Sequence, residues 1–351
     1  MTLQLSPLDA EHRALGATMV EFGGWDMPIA YPSGTIEEHR ACRNRAVVFD
    51  VSHLGTVRVE GPDALDRLQT TLTNDLAKIE PGRAQYTHLL DPVDASVVDD
   101  IIVWWRPGDA EAFDVMPNAS NTAGVRTAIG GTDTTHDRAV LAVQGPQARA
   151  LVSTVFPAAG SVGRFRVAAL DWNGVPCTVA GTGYTGEDGL EIAIPAEAAP
   201  TLWRALADTG VPPAGLGARD TLRLESALPL HGHELGAGIT SLQAGLGWVV
   251  AWDKPSFIGR AAALEERERG ITRRLVGIVT EGRRPARAGC AISVDGAVAG
   301  VVTSGNFSPV LGHGIALGFL APETPEGTAV TIDVRGKDLP GRVATTPFVK
   351  R

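Results

Sequence analysis

The 351-residue sequence has little of what holds small extracellular folds together. It contains three cysteines, Cys42, Cys177 and Cys290, which lie far apart and match neither a disulfide framework nor a metal-binding spacing. An odd, unpaired set of cysteines is typical of proteins from reducing compartments. We therefore expect small buried thiols, with no disulfide and no zinc site.

Long hydrophobic runs are also missing. No window approaches the roughly 18 uninterrupted apolar residues that a membrane helix needs. Residues 1–16 lack the basic region and the apolar run of a signal peptide. The expectation from these two absences is a cytoplasmic protein that does not enter a membrane.

Positive charge is scarce, and the formal net charge is −9. Duplex nucleic acid is bound by basic surfaces, so this balance argues against a nucleic-acid partner. It does not exclude small anionic ligands, because a local group of arginines can outweigh the global charge.

What is present is enough apolar sequence for more than one core. Hydrophobic residues make up 44% of the chain and charged residues 20%, an ordinary globular balance. A chain of this length usually forms two or three domains. Because the charged helical segment 264–269 is followed by short strand patterns, we place a boundary at residue 270, between domains 1–270 and 271–351.

Strand patterns dominate the C-terminal part. Residues 274–279, 291–294, 297–303 and 328–334 are typical of strands, and Asp295-Gly296 is a strong hairpin signal. These features predict a small antiparallel barrel or jelly roll. The larger N-terminal part lacks the regular βαβ alternation of a doubly wound fold, so we expect an α+β architecture with mainly antiparallel sheets.

Three segments of the N-terminal part carry further expectations. Leu65, Leu68, Leu72 and Leu76 recur at helical spacing. Residues 108–138 are polar and predict a loop with one short helix. A third segment, residues 219–228, predicts an amphipathic helix with Asp220 in its first turn, where a carboxylate offsets the helix dipole.

Asp99 and Asp100 interrupt an apolar strand pattern over residues 96–105. Successive strand residues point to opposite faces, so only one of the two can face a given pocket. A carboxyl group between apolar neighbours is partly desolvated, which raises its pKa and suits it to proton transfer. The alternative is an acidic pair at a strand end that backbone amides satisfy.

Residues 181–191 (GTGYTGEDGLE) form a glycine-rich segment without the spacing of a dinucleotide or Walker motif. Tyr184 offers a stacking surface, and Glu191 offers two acceptor oxygens to a heterocycle with adjacent N–H donors. A plain glycine-rich hairpin is the alternative. Arg219 could likewise bind a carboxylate or carbonyl group, or simply pair with Asp220.

The sequence does not support a metal site or a serine hydrolase. His231 and His233 lack an HExxH pattern and cysteine partners, so we expect no metal site. No GxSxG motif indicates a serine hydrolase.

Taken together, the motifs resemble the glycine-cleavage T-protein (aminomethyltransferase) family along nearly the whole chain. Each string alone is weak, but their order is specific. The matching segments are 6–8 (SPL), 22–28 (FGGWDMP), 49–53 (FDVSH), 73–76 (TNDL), 82–86 (GRAQY), 98–100 (VDD), 143–146 (VQGP), 184–191 (YTGEDGLE), 215–225 (GLGARDTLRLE), 245–248 (GLGW) and 303–309 (TSGNFSP).

The resemblance implies a three-lobed folate-binding fold of mainly antiparallel sheets, with a C-terminal barrel. It also implies a catalytic role as acid or base for Asp100. The folate-contacting positions that it implies are Glu191, Arg219, Tyr184, Tyr86, Asn118 and Leu54. Leu54 stands where methionine is usual, and Pro117 interrupts the strand that normally leads to Asn118.

The implied activity is transfer of the methylene unit of an S-aminomethyl-dihydrolipoyl group, carried by H-protein, to tetrahydrofolate, with release of ammonia. Shared fold does not fix function, so two related readings stay open. One is a folate-dependent demethylase of a small methylated donor. The other is a folate-binding iron–sulfur repair protein, whose Lys-Gly-Cys-Tyr-type motif is not found around Cys290.

Overall fold

The computed structural model describes residues 2–350. Its strands, in chain order, are β1 (Gln4–Leu5), β2 (Thr18–Phe22), β3 (Trp25–Ala30), β4 (Val47–Asp50), β5 (Val57–Glu60), β6 (Ala84–Leu90), β7 (Val97–Trp105), β8 (Ala112–Met116), β9 (Thr132–Asp133), β10 (Arg138–Gln144), β11 (Val167–Trp172), β12 (Val175–Ala180), β13 (Gly189–Pro195), β14 (Arg274–Thr280), β15 (Ala291–Val294), β16 (Ala297–Phe307), β17 (Gly314–Leu320), β18 (Ala329–Asp333) and β19 (Asp338–Ala344).

The α-helices are α1 (Asp9–Ala14), α2 (Thr35–Asn44), α3 (Ala64–Thr71), α4 (Thr122–Ile129), α5 (Ala148–Val155), α6 (Pro157–Gly160), α7 (Ala199–Asp208), α8 (Leu216–Glu225) and α9 (Arg260–Arg269). The chain forms two compact units. The first contains residues up to Thr87 together with Asp100–Arg219, and the second contains His88–Asp99 together with the residues from Asp220 onward.

One five-stranded sheet of the first unit has the order β11-β12-β13-β10-β4, with antiparallel neighbours throughout. Apolar residues of β10 and β13 pack against helices α5 and α7. This core includes Leu141, Ile192, Val152, Trp203 and Leu206, all at most 1% exposed. Burial of such large side chains is the main contribution to the stability of the unit.

A second five-stranded sheet has the order β6-β7-β8-β5-β9. Strand β8 is buried at all five positions, and it pairs with β7 on one side and β5 on the other. Asp114 of β8 stands opposite Arg58 of β5, whose Nε donates to Asp114 Oδ1 at 2.8 Å. That cross-strand pair compensates the burial of a carboxylate within an apolar strand.

In the second unit, six strands close into a barrel with the order β14-β17-β16-β15-β18-β19. Its interior is apolar and includes Ile278, Ile292, Leu320 and Ile332. Asp295 and Gly296 both have positive φ, 49° and 80°, as the tight hairpin between β15 and β16 requires. The expected α+β class and the C-terminal barrel are confirmed, although strands β17 and β19 were not predicted. The domain division at residue 270 stays a prediction.

Three local expectations were wrong. Helix α3 ends at Thr71, and the buried Leu76 opens a separate 3₁₀ turn. The segment 108–138 contains strand β8 in addition to helix α4. Helix α8 begins at Leu216, so Asp220 lies beyond the first turn and instead accepts a 2.9 Å hydrogen bond from Arg223 Nε.

Candidate functional site

Asp100 lies on β7 and is half-buried, whereas the neighbouring Asp99 is fully buried. The alternation expected for successive strand residues is therefore present. Tyr86 Oη donates a hydrogen bond of 3.0 Å to Asp100 Oδ2, and Asn118 Nδ2 donates one of 2.8 Å to Oδ1. Because both carboxylate oxygens accept a hydrogen bond, the orientation of the Asp100 carboxylate is fixed.

Glu191 lies on β13, opposite Ala142 of β10 and Ala180 of β12. Its side chain is almost wholly buried, with the residue 5% exposed. Thr182 Oγ1 donates a short hydrogen bond of 2.5 Å to Glu191 Oε2. The sequence did not single out Thr182, although it belongs to the same glycine-rich segment.

Residues 181–188 connect the antiparallel strands β12 and β13, so the segment is a hairpin loop as well as the carrier of Tyr184. Arg43 of α2 braces this loop. Its Nη1 donates to the Thr185 carbonyl oxygen at 2.9 Å and forms an ion pair of 2.8 Å with Glu187. Both side chains of the pair are at most 5% exposed, so the contact is shielded from solvent.

Gln144 braces the same loop from β10. Its Nε2 donates to the Thr182 carbonyl oxygen at 3.1 Å, and its Oε1 accepts from Thr185 Oγ1 at 2.8 Å. The chain passes so close that a Cβ atom on Gly183 would lie 2.0 Å from Gln144, and one on Gly189 would lie 2.4 Å away. The two glycines are therefore needed for close approach of the backbone.

Arg219 of α8 lies over the ring of Tyr184, with its Cζ 4.8 Å from the ring centre. Burial lowers the pKa of Arg219, while the nearby charge of Glu191 acts in the opposite direction. Its Nη1 is enclosed and has no acceptor among residues 2–350. An enclosed N–H donor without an acceptor is costly, so this atom is suited to meet a ligand oxygen.

His53 lies close to this arrangement and was not predicted to belong to it. Burial, and next the charge of Arg219, lower its pKa to about 3, so the ring is neutral near pH 7. Its Nδ1 lacks a partner in the described part of the chain. The sequence signal was its place in the 49–53 motif, directly before Leu54. Leu54 itself is half-buried, and its carbonyl oxygen accepts a hydrogen bond from Arg138.

The structure thus places the candidate residues in two groups within the first unit. One contains Asp100 with Tyr86 and Asn118, and the other contains Glu191 with Tyr184 and Arg219. The first group offers a proton-exchanging carboxylate. The second offers an acceptor, a donor and a stacking ring, which together can hold a flat polar heterocycle.

Over residues 2–350, no group of three or more His, Cys, Asp or Glu side chains is arranged to hold a metal ion. In the same range, no helix combines the length and the apolar character needed to span a membrane.

Comparison with known families identifies the fold. The GCVT N-terminal domain model matches residues 8–254, and the glycine cleavage T-protein C-terminal barrel domain model matches residues 273–350. The chain belongs to the glycine cleavage T-protein family of aminomethyltransferases. The resemblance drawn from the ordered motifs, and the expectation of an enzyme, are confirmed.

Curated members of the T-protein family match the whole chain. The aminomethyltransferase of Rubrobacter xylanophilus is 43% identical over 100% of this chain and 95% of its own length. That of Mycobacterium tuberculosis is 44% identical, with 98% and 96% covered. The crystal structure of the glycine cleavage system aminomethyltransferase T from Bartonella henselae superposes with a TM-score of 0.92 at 35% identity, covering 99% of this chain and 98% of that one.

Proposed function

We propose that this enzyme transfers the methylene unit of the S-aminomethyl-dihydrolipoyl group of H-protein to tetrahydrofolate. The products are methylenetetrahydrofolate, ammonia and dihydrolipoyl H-protein. The observation that carries the proposal is Asp100 held by Tyr86 and Asn118 in a chain of this family. A reducing, cytoplasmic setting belongs to the same proposal and rests on three separated cysteines, all of them free thiols.

Tetrahydrofolate fits the second group of residues. Its pterin ring presents adjacent N–H and amino donors, which the carboxylate of Glu191 can accept in pairs. Arg219 Nη1 lacks an acceptor among the described residues and can donate to the pterin carbonyl oxygen. Tyr184, already stacked with Arg219, provides a flat surface for the ring. We assign Tyr86, Asn118 and Leu54 to the rest of the folate site.

The reaction breaks the bond between the methylene carbon and the departing ammonia, and forms bonds from that carbon to folate nitrogens as the sulfur leaves. Asp100 is assigned the proton exchange at a folate nitrogen. Tyr86 and Asn118 hold the Asp100 carboxylate in one orientation. An acid or base that is already correctly oriented transfers a proton faster. General acid–base help of this kind is typically worth about 10²–10⁴-fold.

The test is tetrahydrofolate-dependent release of ammonia from aminomethylated H-protein. Omission of tetrahydrofolate and replacement of the carrier by free lipoamide adduct are the controls. Turnover that needs both the carrier and tetrahydrofolate supports the proposal. Turnover of a small free methylated donor, without any reaction of the carrier, would instead favour the demethylase reading. Folate binding without turnover of either donor would favour the repair-protein reading.

A further inference from the structure

Residues 51–56 connect strands β4 and β5 and carry both His53 and Leu54. The connection contains a tight turn, in which Leu54 N donates to the Val51 carbonyl oxygen at 3.1 Å. Every residue of the connection except Leu54 is buried. Buried carbonyl groups need hydrogen-bond donors, so residues 52–56, here called the 52–56 turn, depend on partners from elsewhere in the fold.

Arg138, at the start of β10, supplies these donors. Its Nη1 donates to the Ser52 carbonyl oxygen at 2.8 Å, and its Nη2 donates to the Leu54 carbonyl oxygen. Its Nε and Nη2 donate to Thr56 Oγ1 at 3.0 and 2.7 Å, and Nη1 also donates to the Thr135 carbonyl oxygen at 3.1 Å. An arginine side chain has five N–H groups in a fixed fork, and all five are used here.

Arg138 remains charged although it is buried. Burial lowers its pKa to about 10, and the negative charges of four aspartates act against that change. They are Asp50, Asp133, Asp114 and Asp137. The guanidinium is therefore a cation near pH 7, and its hydrogen bonds to the turn are stronger than bonds between neutral groups.

The 52–56 turn lies directly against the segment that carries Asn118. Gly55 N donates to the Pro117 carbonyl oxygen at 3.0 Å. The packing is close, because a Cβ atom on Gly55 would lie 2.3 Å from Thr122 Oγ1 and 2.7 Å from Pro117 Cγ. A close-packed interior transmits displacements, so a shift of the turn is passed on to Pro117 and to the residue that follows it.

Asn118 in turn orients Asp100, since its Nδ2 donates to Asp100 Oδ1 at 2.8 Å. The contacts form a continuous series within the first unit, from Arg138 through the 52–56 turn and Pro117 to Asn118 and Asp100. The sequence gave no reason to single out Arg138, because Ser52, the partner of its Nη1, lies 86 positions earlier.

We propose that Arg138 is a positioning residue of the aminomethyl-transfer site, which fixes the Asp100 carboxylate by way of the 52–56 turn and Asn118. Arg138 itself does not bind substrate, because all its donors are bonded within the protein. The inference rests on the proposed function, since it concerns the residue assigned to proton exchange. An arginine that served only the stability of the fold would not act through Asn118.

A double-mutant cycle on the rate separates positioning from stability. Arg138→Gln leaves only two N–H donors. We expect it to lower the single-turnover rate of ammonia release at saturating tetrahydrofolate at least about fivefold. In an Asn118→Ala background the same substitution should lower the rate less than about twofold, because the link to Asp100 is already broken. Arg138→Lys keeps the charge without the fork and should give an intermediate rate.

Arg58→Gln is the matched control. Arg58 is an arginine of the same unit whose Nε forms an ion pair of 2.8 Å with Asp114. Its loss should lower the temperature of thermal unfolding, because Asp114 is left buried without its partner. The rate should nevertheless be unchanged, with and without Asn118. Circular dichroism establishes that each variant is folded at the temperature of the assay.

Crystal structures of the parent and of Arg138→Gln test the same link without any activity. We expect the distance from Asn118 Nδ2 to Asp100 Oδ1, here 2.8 Å, to exceed about 3.5 Å in the variant. Gly55→Ala displaces the same segment by steric contact and should also lengthen it. Gly124→Ala, in open space on α4, should leave it unchanged.

The inference is overturned if Asn118 keeps its hydrogen bond to Asp100 in folded Arg138→Gln. It is also overturned if that substitution lowers the rate equally with and without Asn118. Should Arg138→Gln fail to fold, Arg138→Lys and Gly55→Ala undergo the same two measurements. Failure of the proposed function is a separate result: a parent enzyme that releases no ammonia from aminomethylated H-protein would contradict that function, while the crystallographic distances would still decide whether Arg138 positions Asp100.

Discussion

Asn118 donates a 2.8 Å hydrogen bond to Asp100 although Pro117 directly precedes it. Strand β8 ends at Met116, so the proline lies just beyond the part of the ladder that needs an N–H donor. Its carbonyl oxygen still accepts from Gly55 N at 3.0 Å. The departure from the usual sequence pattern therefore leaves the asparagine beside the carboxylate. Contact of Asn118 with folate remains a prediction.

Asp100→Asn should keep folate binding and lower the rate at least about tenfold, because the amide cannot exchange a proton. The measurement is single-turnover ammonia release together with a folate dissociation constant from fluorescence titration. Asp66→Asn, on the exposed side of α3, is the control. Normal turnover by Asp100→Asn would remove this residue from its assigned role.

Glu191→Ala should weaken folate binding and have a smaller effect on the rate at saturating folate. Loss of a buried charged acceptor facing ring N–H groups typically costs about 1.5–3 kcal/mol, or about 10- to 150-fold in affinity. Glu191→Gln keeps the shape and tests the charge alone. Titration calorimetry gives the affinity, and an unchanged dissociation constant in both variants would contradict the assignment.

Arg219→Lys should also weaken folate binding, since lysine lacks both the planar guanidinium surface over Tyr184 and the fixed fork of N–H donors. We expect a loss of about fivefold or more in affinity. Tyr184→Phe keeps the ring and serves as the matched control for stacking. If Arg219→Lys binds folate like the parent while Glu191→Ala does not, the guanidinium has a structural role only.

Gly183→Ala should destabilise the loop that carries Tyr184, because the new methyl group would lie 2.0 Å from Gln144 Oε1. Overpacking of this kind costs about 1–3 kcal/mol. Thermal unfolding measures the loss, and the double variant Gly183→Ala with Gln144→Ala should recover part of it. Gly124→Ala, on helix α4, is a control in open space without a positive φ and should not destabilise the protein. Additive effects of the two substitutions would show that the positions are not coupled.

Two buried histidines should make the protein sensitive to mild acid. Burial lowers the pKa of His53 and of His88 from 6.5 to about 3. Below pH 6.5 the unfolded chain binds protons that the folded chain does not, so this stability is complete above pH 6.5 and is lost as pH falls towards 3. Each histidine should contribute a loss on the order of 1–2 kcal/mol by pH 5.

Unfolding followed between pH 7 and pH 5 measures this dependence. A folded His88→Gln variant should show a shallower fall than the parent, whereas replacement of the exposed His136 by Gln should leave the slope as it was. Parallel slopes for the parent and His88→Gln would contradict the prediction.

Several structural elements could be predicted from the pattern of a few consecutive residues. The alternation around Asp100 and the Asp295-Gly296 turn each depend on a few consecutive residues, and both were predicted. Strand β8 was not, because its Asp114 appears unsuited to a buried strand until Arg58 is seen opposite it. Likewise, the 3₁₀ turn at Leu76 depends on Gln69, whose Oε1 accepts from Leu76 N.

In the candidate site, too, some residues were predicted from the sequence and others were not. The pair Asp99 and Asp100 was visible locally as charge within an apolar strand pattern, and Glu191 was noticed in a glycine-rich segment. The choice of Asp100 over Asp99 came from the family resemblance. The residues that hold the Tyr184 loop were not predicted, because Gln144 and Arg43 are 41 and 142 positions away from Thr185, which they contact. Such partners become neighbours only when the sheets have formed.

The C-terminal barrel also limits how this enzyme can meet another protein. All six strands from β14 to β19 have both neighbours within the ring, so their backbone groups are already paired. Closure of this kind removes the free edge on which a foreign strand could be added. A protein that docks on the barrel wall therefore has to be recognised by side chains and loops. Aggregation by successive addition of strands to this domain is prevented while the barrel remains closed.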